Sequence, residues 1–287
     1  MVMKAKQAKY TIADLLKDFP NDDACIAYIF AMRFPDPICP ECKAENSFYR
    51  VSTRKCYSCS HCGFQLHPTA GTIFHKSSTP LTLWFHALFL FASARNGVSA
   101  KEVQRQLGVT YKCAWRMTHQ IRSLMTQGKD PLSGTVEADE TYIGGSRRGG
   151  KRGRGTDKAA VVGVVQRGGS VRAKHVDNVK SATVIPILRE NVTLGSAVMT
   201  DEFPVYNRVE KDGYLHEVIQ HGIKEYVRGN VHTNTIEGFW SQVKRSISGT
   251  HHAVSKKYLQ FYLNEFVFRY NYRNSELPMF QVLLSRA

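Results

Sequence analysis

The chain has 287 residues, room for two or three domains, and an ordinary hydrophobic content of 43%. It carries 39 Lys+Arg against 24 Asp+Glu, a net charge of +15; this favours a polyanionic partner, with a merely basic soluble protein as the plainer alternative. No run of 18 uncharged apolar residues occurs, because Leu83–Ala94 (LWFHALFLFASA) is too short and holds a histidine, and the basic start MVMKAKQAKY leads into no signal-peptide core; the expectation is a cytoplasmic chain with no membrane partner.

Tyr10–Phe34 reads as helical. Thr11 with Asp14 resembles a capping box, and Asn21-Asp22-Asp23 starts a second helix. Cys25 lies among apolar residues and reads as a buried small hydrophobe. Five of the seven cysteines then crowd between Cys39 and Cys62, which in a chain without a secretion signal points to metal rather than disulfides. CPEC supplies Cys39 and Cys42, and CSHCG supplies Cys59 and Cys62 after sixteen intervening residues. Two CxxC turns that each aim two thiolates at one ion complete the tetrahedral site of a zinc ribbon. Cys56-Cys59 is also CxxC; Cys59 and Cys62 are preferred because Gly63 suits the tight turn, with Cys56 spare and His61 and His67 as lesser alternatives. Such a closed Zn²⁺ site is structural and holds together a domain too small for its own core.

Thr69–Met125 reads as helical throughout, with Thr79-Pro80 starting an aromatic helix that belongs to a core. Ser99 and Thr110 cap two further helices around a Leu107-Gly108-Val109 turn, which is helix-turn-helix spacing. Lys112, Arg116 and, as a lesser candidate, His119 project from the second helix, while Ala114, Trp115, Ile121 and Leu124 pack. The functional reading is a recognition helix in the major groove; the alternative is an ordinary helical hairpin. Thr126–Gly134 is a linker by composition.

Thr135–Ile143 is strand-like and contains Asp139. The basic, Gly-rich run Ser146–Lys158 is a mobile loop, a phosphate-binding arm or a solvated hairpin loop. Ala159–Arg167 and the stretch VRAKHVDNV after Gly168-Gly169 are two more strands. Ser181–Asn191 is a helix whose Pro186 must lie in the first turn or distort it. Ser196–Thr200 is a strand ending at Asp201, Phe203–Arg208 a short helix, and Tyr214–Ile219 a fifth strand. In RGNVHTNTIEGFWSQVKR, Glu237 and Lys244 stand seven residues apart on one helix face, and Lys257–Arg273 is a long aromatic helix. Asp139, Asp201 and Glu237 are the three carboxylates that a pair of hard cations acting on phosphate requires. Neighbours on a strand point to opposite faces, so Glu140 and Glu202 are set aside, and Glu137 with them.

This order of elements, with an acid on the first strand, one after the fourth and one on a late helix, is the ribonuclease-H-like layout. Asp201-x35-Glu237 with Lys244 seven residues on resembles the signature of DDE transposases and retroviral integrases. The motifs VEADETYIGG, VMTDEFPVY, HTNTIEGFWSQVKR and the leading CPEC, CSHCG and GTIFH resemble one subgroup of bacterial insertion-sequence transposases, over about Phe19–Arg273. The resemblance implies an α/β, ribonuclease-H-like (integrase-like) catalytic core at 134–287. Ahead of it stand a helical segment at 1–34, a zinc ribbon at 35–70 and a helix-turn-helix region at 71–127. It implies an enzyme that cleaves DNA at terminal inverted repeats and joins the freed 3′-hydroxyl to target DNA. Asp139, Asp201 and Glu237 would hold two Mg²⁺ (or Mn²⁺) ions, and no covalent protein–DNA intermediate is implied. Lys244 would contact phosphate near the ions, Arg245, Lys112 and Arg116 would bind DNA, and His232 and Asn234 would orient DNA or the helix. The implied partners are double-stranded DNA and further copies of the chain, since two DNA ends must be held at once, in a bacterial nucleoid. Two other readings remain: a DNA-binding regulator on a catalytically inactive transposase scaffold, and a nuclease of the same fold without strand transfer.

Overall fold

The computed structural model describes residues 9–144, 158–220, 222 and 227–287; the basic run Ser146–Lys158 lies, but for Lys158, outside them. The chain divides into two compact units, one of Met1–Ala94, Ala100–Leu124 and Asn274–Ala287, the other of Arg95–Ser99 and Met125–Arg273. Among the described residues no helix is long and apolar enough to cross a membrane.

The first unit opens with α1 (Ile12–Asp18), α2 (Asp22–Arg33) and the antiparallel strands β1 (Phe48–Val51), β2 (Cys56–Cys59) and β3 (Gln65–Leu66). The Thr11–Asp14 capping box forms in both directions, and Asn21 caps α2 through Ala24 N. Thr69–Thr79, expected to be helical, is a chain of turns. Gly71 (φ +77°) and Lys76 (φ +51°) take left-handed backbone there, and the Thr72 hydroxyl bonds to the Thr69 carbonyl, a local alternative to a helical ladder. The helix begins only after Pro80, as α3 (Leu81–Ser93). Apolar nearly all round, α3 is the unit's central helix, with Trp84, Phe85, Leu88 and Phe91 sealed from solvent. α4 (Ala100–Leu107), α5 (Tyr111–Leu124) and α9 (Met279–Leu284) complete the unit. Gly108 (φ +64°) turns the chain between α4 and α5, and Thr110 Oγ1 accepts from Cys113 N at the front of α5. Ala114 and Ile121 pack as expected, but Trp115 does not. It is 37% exposed, its ring stacked on His119 at 3.9 Å, because its position falls on the outer face of α5.

The second unit is a five-stranded sheet in the order β6-β5-β4-β7-β8. Its strands are β4 (Thr135–Ile143), β5 (Ala159–Gln166), β6 (Val171–Val176), β7 (Ala197–Asp201) and β8 (Leu215–Ile219). β5 runs antiparallel to β4 and β6, while β7 runs parallel to β4 and β8. Alternation splits the side chains between two layers. Val136, Ala138, Val162, Val164 and Val198 pack with α6 (Ser181–Asn191). Val161, Val165, Val171 and Ala173 pack with α7 (Asn234–Ser246) and α8 (Lys256–Asn271). Pro186 sits in the interior of α6, past the first turn, and the helix runs on to Asn191 around it. The expected linker Thr126–Gly134 is part of this unit. Leu132 is buried, its amide bonds to Asn191 O (2.7 Å), and its carbonyl accepts from Thr193 N (2.8 Å). Its polar composition reflects irregular backbone, not lack of packing.

The outer edge of β6 is closed by amide side chains. Asn271 bonds to both backbone groups of Val171, Gln127 to both of Ala173, and Gln260 accepts from His175 N and donates to Ala173 O. Each amide offers a donor beside an acceptor, as a neighbouring strand would.

Candidate functional site

Cys39–Cys42 and Cys59–Cys62 fold into two matching turns. Lys43 N and Gly63 N donate to Cys39 O and Cys59 O, and Cys39 N and Cys59 N donate to Ala44 O and Phe64 O, all at 2.9 Å. The pattern requires positive φ at the residue after the second cysteine: +77° at Gly63 and +60° at Lys43. The four Sγ atoms lie within 4.8 Å of one another, with Cys39–Cys62 at 3.5 Å and Cys42–Cys59 at 3.6 Å. A tetrahedral ion with Zn–S bonds of about 2.3 Å spaces its sulfurs about 3.8 Å apart, so the donor set fits zinc. A hydrogen bond from Ser47, whose Oγ is 3.2 Å from Cys59 Sγ, leads the effects that pull the Cys59 thiol down to about 6, while its neighbours Cys42 and Cys62 are pushed up, as crowded thiols share little negative charge. Cys56 is buried with its Sγ toward Gln65, and neither it nor His61 nor His67 joins the cluster.

The acids come from three separate elements. In the parallel β4–β7 register Glu137 stands opposite Met199, so Asp139 and Asp201, each two residues further on, end at the same level of adjoining strands. Both point to the α7 side of the sheet, and α7 carries Glu237. Burial pushes the Asp139 carboxyl up to about 7, and the charges of Glu140, Asp201 and Glu237 add to the rise. Among the described residues, these carboxylates do not bring three ligand atoms within 4.8 Å, as the thiols do. Asp201 Oδ1 accepts from Phe203 N (3.0 Å), and Glu237 Oε1 accepts from Thr233 Oγ1 (2.8 Å). Partial desolvation lowers the ammonium pKa of Lys244, a residue otherwise open to solvent, with Asp139 opposing and Lys158 reinforcing the shift, so Lys244 lies within the field of Asp139. Glu140, on the opposite face, accepts from the buried Tyr206 hydroxyl (3.1 Å), and Glu202 accepts from Gly222 N (3.0 Å).

The family of ISXO2-like transposase domains matches residues 131–271, and that of transposase zinc-ribbon domains matches residues 20–65. A protein of the transposable element ISH50 from Halobacterium salinarum is 32% identical over 278 residues, covering 88% of this chain and 92% of that protein. This chain belongs to the ISXO2-like transposase family. A transposase-like protein of Haemophilus influenzae is 34% identical over 102 residues, 36% of this chain and 80% of that one. Among solved structures, a chain of the simian T-cell lymphotropic virus intasome in complex with PP2A regulatory subunit B56 gamma aligns at a TM-score of 0.30. The identity is 14%, over 63% of this chain and 64% of that one.

In this transposase Lys112 and Arg116 are exposed on α5, and Lys244 and Arg245 on the last turns of α7. Asn234 is the first residue of α7, and His232 Nδ1 lies 3.2 Å from Glu137 Oε1. Glu137, set aside on the sequence, is fully buried and shares the face of Asp139, since residues two apart on a strand point the same way. Gly163 was also missed. It stands on β5 directly opposite Asp139 of β4, and a Cβ there would meet the Trp240 ring at 2.7 Å from Cη2 and Ile236 Cδ1 at 3.2 Å. The period-two pattern could have found Glu137; Gly163 stood out only as the lone glycine in a β-branched strand.

Proposed function

We propose that this transposase cleaves DNA at terminal inverted repeats and joins the freed 3′-hydroxyl to target DNA through a metal site built from Asp139, Asp201 and Glu237. The observation that carries this reading is the common level of Asp139 and Asp201 on adjoining parallel strands, with α7 packed over the same face and the charge of its Glu237 felt at Asp139. The sheet order and the mix of antiparallel and parallel pairs support a ribonuclease-H-like core. The donor set suits Mg²⁺ or Mn²⁺, since the oxygens are hard. Burial, reinforced by the charges of Glu140, Asp201 and Glu237, keeps a proton on Asp139 up to near neutral pH, and a bound cation would offset that cost. Two such ions would activate the attacking oxygen and stabilise the leaving one.

In this reading Asp139 would be deprotonated when a cation is bound, and Asp201 and Glu237 would supply further oxygen ligands. Lys244, within the field of Asp139, holds a DNA phosphate beside it. Arg245 on α7 and Lys112 and Arg116 on α5 add phosphate contacts, with α4–α5 serving as a helix-turn-helix. Double-stranded DNA and further copies of the chain are the partners, with the bacterial nucleoid as the place of work. The test is cleavage and joining of a labelled duplex carrying the element's own terminal repeat with Mg²⁺, comparing wild type with Asp201→Asn. Cleaved and joined products in wild type alone support the reading. Repeat-specific binding without chemistry in wild type refutes it and leaves a DNA-binding protein on an inactive scaffold.

A further inference from the structure

We infer that Glu137 is a positioning residue that fixes α7, and with it Glu237, at its working distance from β4. The inference rests on the proposed role of Glu237. Glu137 is 0% exposed, two residues before Asp139 on the same face of β4. Its Oε2 accepts from the backbone N–H groups of Thr235 (2.8 Å) and Ile236 (2.9 Å), in the first turn of α7. Its Oε1 accepts from the Thr235 hydroxyl (2.8 Å) and from Arg167 Nε (2.6 Å). Arg167 in turn donates to Asn230 O (2.6 Å) and His232 O (2.8 Å) in the segment that leads into the helix. One carboxylate therefore ties a central strand to the two residues directly before Glu237.

All four hydrogen-bonding groups on Glu137 are donors, and His232 Nδ1 lies 3.2 Å from Oε1, so an acceptor-only side chain suits the position. An amide would turn N–H groups toward Arg167 or toward the helix amides. Four residues beyond Ile236, Trp240 lies over Gly163, the cross-strand partner of Asp139. The helix is thus held at two points one turn apart, one polar and one by close packing, with Glu237 between them. A cation site drawn from a strand and a helix needs such a fixed separation, because coordination tolerates little error in ligand position.

The test uses the full chain with Glu137→Gln, Glu137→Asp and Thr235→Val. Thr235→Val deletes a single donor to Glu137 and keeps the fold testable if the Glu137 variants fail to fold. Four quantities are read: the thermal midpoint, amide hydrogen exchange over 234–246 without metal, the Mn²⁺ concentration for half-saturation by the paramagnetic resonance of free Mn²⁺, and cleavage as Mn²⁺ is added. The expectation is faster exchange in the first turn of α7 in folded variants. With it goes a rise of about tenfold in half-saturating Mn²⁺ for Glu137→Gln, a smaller one for Thr235→Val, and cleavage restored by added Mn²⁺. A residue with a merely structural role would lower the midpoint and leave Mn²⁺ affinity of the folded protein unchanged; that result overturns the inference. Wild type and Asp201→Asn run alongside. If neither binds Mn²⁺, the metal-site reading fails by itself, and unchanged exchange in the α7 variants separately defeats the positioning role.

Discussion

Four thiols in the first unit and three carboxylates in the second are both groups of anionic ligands, yet they are organised differently. The thiols lie within 4.8 Å of one another, held by two short turns with identical backbone bonds. The carboxylates come from β4, β7 and α7, stand further apart, and leave a proton on Asp139 near neutrality. A closed structural site is specified by local geometry, each pair of ligands being set by its own turn. An open site for chemistry is specified by packing between distant elements, and its charges repel until something neutralises them. The scaffold must therefore supply rigidity to the second group that the first obtains from its own turns.

The largest expected effect breaks the local cluster. Cys42→Ser should take zinc content from about one ion per chain to none and open residues 35–70 to protease, since structural zinc contributes on the order of 10 kcal/mol to such modules. Metal analysis with limited proteolysis checks it, and retained zinc would remove Cys42 from the ligand set. Next comes the packing that the acids depend on. Gly163→Ala should cost about 1–3 kcal/mol by overpacking against Trp240, with cleavage falling further than stability because α7 is displaced. Trp240→Phe in the same chain should recover part of both losses, read from denaturation midpoints and cleavage rates.

A third test concerns charge. The Asp139 carboxyl has a folded value of about 7, above its ordinary 3.8, so its ionisation opposes folding. Metal-free stability should fall as pH rises from about 4 through about 7, by a few kcal/mol at most, and Asp139→Asn should flatten that slope. Denaturant midpoints at pH 5 and pH 8 decide it; identical slopes would mean that Asp139 is not the group titrating. The smallest expected effect sharpens the zinc side. Cys56→Ala should leave zinc content unchanged and cost about 1 kcal/mol from lost packing of a buried thiol.

What could be read from the sequence follows the same division. The zinc ligands were legible because each pair and its turn lie within six residues, although Lys43 in the backbone conformation of Gly63 carried no compositional signal. β4 and α6 were legible to the residue, being marked by alternation and by an apolar stripe. The contacts of Glu137 were not legible because its partners Arg167 and Thr235 lie 30 and 98 residues away. Gln127 looked like linker for the same reason: its partners, Ala173 and Asn264, lie 46 and 137 residues along the chain. Trp115 misled because hydrophobicity alone does not say which side of a helix faces out.

The amides along β6 carry a consequence for assembly. An open strand edge is a template on which another chain can polymerise, and here Asn271, Gln127 and Gln260 occupy it. Two of the three belong to α8. A chain truncated before Lys256 would free the Val171 backbone groups and the His175 amide on that edge, so α8 acts as a built-in quality seal. Incomplete copies would be steered to aggregation, and full-length copies would have to meet through other surfaces.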